Sequence, residues 1–222
     1  MTNLFSIFDP STPNFFSSNW ASTLLFILLF PLSMWVLPNR YKITLIMMLD
    51  FVYNEFSPIV KKTIFILLMS LSLFIFIMFN NVMGLFPYIF TSSSHMVYTL
   101  TMALTAWLSL IIYGWLNNTS NLLVHLIPQG TPYILIPFMV IIETISNIIR
   151  PATLAIRLTA NMIAGHLLIT LLSSATPLTP LYLIPVMFMA QIALSMLEIA
   201  VAFIQAYVFS VLMTLYIAEA TD

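Results

Sequence analysis

Cysteine is absent from the 222 residues, so neither a disulfide framework nor a thiolate metal site is open to this chain. Charge is nearly as scarce: Asp, Glu, Lys and Arg make up 6% of the sequence, against about 25% in ordinary globular chains. A formal net charge of −1 leaves no basic surface for nucleic acid. No phosphate-binding GxxxxGK[ST] motif occurs, which takes nucleotide hydrolysis away from this chain. The three histidines, His95, His125 and His166, lie far apart and none has HExxH-type spacing, so neither a metal site nor a cofactor is expected. His95, in a Ser-rich stretch, and His125, in a polar loop, are expected to be solvated.

What is abundant is apolar: 61% of the residues are hydrophobic, and the mean hydropathy is +1.07. The fold class expected is an all-α, polytopic membrane protein in a single membrane domain. Three segments, 20–37, 63–79 and 96–116, have the length and composition to cross a hydrocarbon core of about 30 Å. The stretch 43–60 carries Asp50 and Glu55 and is too polar to span, so it is expected along the interface. Asn80, Asn81, Gly84 and Pro87 are expected to break the chain after the second span. Segments 133–172 and 185–218 are too long to stand upright. At 1.5 Å per residue they extend about 60 and 51 Å, which calls for a hairpin of two steeply tilted helices. Arg40, Lys42, Lys61 and Lys62, four of the six basic residues, lie between the first two spans, which puts that connection on the inside. Counting crossings then places the N-terminus outside and the C-terminus inside. The first twenty residues carry no basic n-region and no Arg-rich amphipathic character, so neither a secretory signal nor an imported transit peptide is expected. With 15 Met and no Cys, the composition suggests synthesis within the organelle whose membrane the chain occupies.

Inside the two long segments sit residues that lipid does not tolerate without reason. Arg157 is the clearest, because a guanidinium stays charged at any accessible pH and costs about 2.5–3.5 kcal/mol at the bilayer centre. At about 100° per residue, Glu143, Asn147, Arg150, Arg157 and Asn161 share one narrow stripe of a helix. His166 points to the opposite face, toward the partner helix. In the last segment Gln191, Glu198 and Gln205 recur every seven residues on one face. Polar groups between membrane helices often serve only as hydrogen-bond glue, worth about 0.6 kcal/mol on average. That reading suits Asn147, Asn161 and Gln191 better than Glu143, Arg157 or Glu198, since ionisable groups at this depth tend to mark ion or proton paths. Along the helix Glu143 is about 21 Å from Arg157, and His166 about 14 Å away on the other side. Two proton-exchanging clusters near opposite membrane faces, parted by a permanent cation, suit two half-channels that must not short-circuit. From the residues alone, two rivals stay open. A secondary transporter would carry inverted repeats and helices broken by Gly or Pro, and a respiratory haem subunit would carry placed axial histidines.

The runs IRPATLAIRLTANMIAGHLL and LEIAVAFIQAYVFSVLMTLYIAE resemble the two signature helices of the a-subunit family of mitochondrial rotary ATP synthases. FNNVMGLFPYIFTSSSH and HLIPQGTPYILIPFMVIIETISNIIRP resemble the same family. Bacterial members typically carry an acidic residue where His166 stands and a histidine where Glu198 stands, so the resemblance is to the mitochondrial branch. It implies a non-catalytic stator subunit in the inner membrane, facing a rotating ring of c subunits and held by peripheral-stalk and other membrane-sector subunits. It further implies that Arg157 faces the ring carboxylate, with Gln205 packed near it. His166, Glu198 and Asn161 would form the entry half-channel, and Glu143 part of the exit. For Arg150, an anchor near the interface is the plainer reading.

Overall fold

A computed structural model of the chain describes residues 4–12, 18–30, 37–60, 64–117, 119–127 and 132–221. The described residues are predominantly helical, with no strand among them. Helix α1 (Phe26–Leu29) follows a 3-10 turn, Asn19–Leu24. Positions 31–36, a third of the span expected over 20–37, lie outside the described residues. Helix α2 (Arg40–Phe56) starts where the Asn39 side chain accepts the Tyr41 amide at 3.2 Å, which satisfies one of the free donors of a helix start. Helices α3 (Ile64–Gly84) and α4 (Met96–Asn117) follow, then a short α5 (Thr119–His125).

Two long helices complete the chain. Helix α6 (Ile136–Ala175) has a proline in its first turn, where a missing N–H costs nothing. It runs unbroken through Pro151, which is buried; neighbouring helices can cover the backbone that an internal proline leaves unpaired. A hairpin of two 3-10 turns, Thr176–Leu178 and Leu181–Leu183, leads into α7 (Ile184–Thr221). At 1.5 Å per residue α6 and α7 are about 60 and 57 Å long. Among the described residues, four helical stretches are long and apolar enough to cross a membrane: Leu67–Gly84, Met96–Asn117, Tyr133–Leu178 and Leu181–Ala218.

The most extensive packing is of α7 on α3 and of α6 on α4, followed by that of α6 on α7, with α4 also touching α7. Small residues make this possible. Ala155, Ala202 and Ala206 are at most 1% exposed, and small side chains let backbones approach when lipid supplies no hydrophobic drive between helices. Buried hydroxyls bond within their own helices, as Ser210 does to the Tyr207 carbonyl at 2.8 Å and Thr214 to that of Val211 at 2.7 Å. Asn80 and Asn81 do not break α3 as expected. Their amides donate to the Tyr98 hydroxyl at 2.9 Å and to the Ala202 carbonyl at 3.4 Å, so they bridge helices instead of competing for their own backbone. His95 is not solvated either. Its ring stacks on Phe90 (5.0 Å between centroids) beside Trp20 (5.5 Å), and its Nε2 is buried.

Candidate functional site

The polar residues of α6 and α7 fall into three settings. In the first third of α6, the Arg150 Nη2 donates to Glu143 Oε1 at 3.2 Å, an ion pair between residues one heptad apart on one face. The guanidinium carbon of Arg150 lies 5.1 Å from the ring centroid of Tyr216 on α7, within cation–π range. All three line a cavity of about 410 Å³, with Asn147 on the same wall and Trp107 and Trp115 of α4 across it.

Near the middle of α6 stands Arg157. Its side chain is exposed, while Leu154, Ala155, Leu158 and Thr159 bury the other side of the helix. Among the described residues it has no hydrogen-bond or ion-pair partner. Asn161 and Gln205 are half-buried and likewise make no side-chain hydrogen bond among the described residues.

The third setting joins the C-terminal half of α6 to the N-terminal half of α7. Glu198 is 9% exposed, and its carboxyl lies against the backbone of Gly165. A methyl group added at Gly165 would come within 2.7 Å of Glu198 Oε1 and 3.0 Å of Cδ, so only glycine lets the carboxyl sit there. The next residue is His166. Its ring faces the Gly84 carbonyl at the end of α3 and meets Phe8 edge-on, with centroids 6.4 Å apart. His166 Nε2 and Glu198 Oε1 are both buried without a hydrogen-bond partner among the described residues. Buried polar atoms left unpaired cost about 1–3 kcal/mol each, so one on His166 and one on the carboxyl packed against its neighbour Gly165 call for an explanation.

Residues 16–218 match the family described as ATP synthase A chain. Across 99% of both chains, the sequence is 56% identical to ATP synthase subunit a of Anopheles quadrimaculatus, 55% identical to that of Drosophila melanogaster and 54% identical to that of Aedes aegypti. The chain belongs to the ATP synthase A chain family. It is therefore a proton-translocating, non-catalytic subunit of the membrane sector, which works with the c ring and the other subunits of the complex. It is a multi-pass protein of the mitochondrial inner membrane.

For a member of this family, the structure keeps the three settings apart: no hydrogen bond or ion pair among the described residues joins Arg157 to Glu143 or to Glu198. Three residues of these settings escaped the sequence reading. Gly165 is one, since nothing in a lone glycine says what rests on it. Gly84 is another, brought to His166 only by the packing of α3. Tyr216 did carry a signal, being eighteen residues, or five helical turns, beyond Glu198 on the same face of α7.

Proposed function

We propose that the three settings are the entry half-channel, the barrier and the exit half-channel of proton transport coupled to ring rotation. A proton arriving from the intermembrane space reaches His166 and Glu198, with Asn161 near the ring-facing side. It passes to a ring carboxylate, which is then neutral and able to face lipid. After the ring has turned, the carboxylate gives up its proton toward the matrix through Glu143. Arg157 favours the ionised carboxylate on its arrival and blocks direct flow between the half-channels, with Gln205 packed beside it. The N-terminus then faces the intermembrane space and the C-terminus the matrix. Helices α6 and α7 lie steeply inclined, because lengths of about 60 and 57 Å exceed a core of about 30 Å. The membrane potential drives the transfer with about 2.3 kcal/mol per charge per 100 mV.

One observation carries this reading. Of the two arginines in α6, Arg150 is ion-paired within the chain, whereas Arg157 is exposed and unpaired among the described residues. An unpaired guanidinium on an apolar helix surface is tolerable only if a counter-charge comes from outside the chain, and a passing ring carboxylate supplies one. The test is ATP-driven proton pumping by the assembled complex in vesicles. Arg157→Lys should abolish pumping although the formal charge is kept, because lysine releases its proton when desolvated and offers no planar fork of donors. Arg157→Ala should add a passive proton leak. Near-normal pumping by the lysine variant would sink the barrier role.

A further inference from the structure

The pairing of Arg150 gives this residue a task that an interfacial anchor would not need. Among the described residues its guanidinium meets both the Glu143 carboxylate along α6 and the Tyr216 ring across on α7. Both side chains of the ion pair are about one-third exposed or less, at 28% for Arg150 and 32% for Glu143, and both open on the same cavity of about 410 Å³. Among the described residues Glu143 is engaged through Oε1, and Oε2 makes no hydrogen bond. A glutamate has three rotatable bonds, and without a partner it would sample many directions in a space of this size. The planar guanidinium can hold a carboxylate through one edge while its face lies on an aromatic ring, which a lysine ammonium cannot do.

We infer that Arg150 is a positioning residue: clamped on Tyr216, it fixes the Glu143 carboxylate at the cavity wall with one oxygen turned free to exchange a proton. The inference rests on the exit role of Glu143 given above. Because Tyr216 belongs to α7 and Glu143 to α6, the clamp also ties the exit group to the helix that carries Glu198. The separation of the two half-channels is then held by a side-chain contact as well as by the backbone.

A double-mutant cycle in the assembled complex tests this, read as ATP-driven proton pumping per assembled complex in vesicles. Arg150→Gln should lower pumping by about tenfold, within the range that misplacing a reacting group costs. Glu143→Gln should lower it at least as much. The double variant should be no worse than Glu143→Gln alone, because Arg150 acts through Glu143. Tyr216→Leu should fall between wild type and Arg150→Gln. Arg150→Lys should recover part of the loss, since the charge returns without the stacked plane. If Arg150→Gln costs as much in the Glu143→Gln background as in the wild type, Arg150 works independently and the inference is overturned. It is overturned as well if Arg150→Lys pumps as fast as the wild type, since the stacked plane would then do nothing. Should Glu143→Gln itself pump normally, the exit role fails, a result separate from the first two. Where Arg150→Gln does not assemble, the comparison of Arg150→Lys with Tyr216→Leu carries the test. Pumping at the wild-type rate in both would then overturn the clamp.

Discussion

Gly165 and Glu198 meet so closely that a single methyl group would push the carboxyl away. Gly165→Ala probes this contact well, because the expected signs differ. Inside a helix, alanine is favoured over glycine by about 1 kcal/mol, so a structural role alone predicts a complex at least as stable and as active. The contact predicts that the carboxyl shifts instead, since the group in the way is the far end of a flexible side chain. Pumping should then fall several-fold with assembly intact. Glu198→Gln should behave alike, slowing proton uptake from the intermembrane side while the ring stays assembled. Unchanged pumping in Gly165→Ala would mean that the position of the carboxyl does not matter. Charge against apolar surroundings was what made Arg157, Glu198 and Glu143 legible in the sequence, because that contrast needs no knowledge of neighbours. Gly165, Gly84 and Tyr216 were not read from it. Their importance lies in which helix comes against which, and at what register.

At the scale of the helices, length and hydropathy foretold α4, α6 and α7 to within a few residues, because a continuous apolar run leaves lipid only one way to satisfy its backbone. Local cues served less well where tertiary contacts overrode them. The Asn80–Asn81 pair reads as a helix end, yet Tyr98 and Ala202 supply the partners that keep α3 helical to Gly84. The Ser-rich stretch before α4 reads as a solvated loop, yet Ser92, Ser93 and Ser94 are buried. The α3–α7 seam has a test of its own. Ala206 is 0% exposed, so Ala206→Leu would force several extra heavy atoms into a filled space. Overpacking of this kind costs about 1–3 kcal/mol, and the expected result is less assembled complex on native gels and a lower unfolding temperature in detergent. By contrast Tyr207→Phe, which removes only an exposed bond to Glu55 linking α2 and α7, should cost well under about 1 kcal/mol in the same assay.

For the molecule as a whole, the lack of cysteine becomes an experimental convenience. A single cysteine at Ser6 or Thr221 would be the only thiol in the chain, and a membrane-impermeant maleimide would report its side. The orientation proposed above predicts labelling of the Ser6→Cys variant from the intermembrane space and of Thr221→Cys only from the matrix. Reaction of both from one side would require an odd number of crossings between them to be replaced by an even one. The outer surface of α7 belongs to the same picture, with Phe188, Met189, Met196 and Leu197 each 59–69% exposed. Such a surface needs lipid or a partner to cover it. Arg157 adds an energetic condition to that partnership. A lone guanidinium in mid-bilayer costs about 2.5–3.5 kcal/mol, and a facing carboxylate can relieve that cost. At about 1.36 kcal/mol per factor of ten, the relief would favour the ring-bound subunit over the solitary one by roughly a hundredfold. The residue proposed to keep the half-channels apart would thus also penalise any subunit left without its ring, and an incomplete membrane sector would carry its own instability.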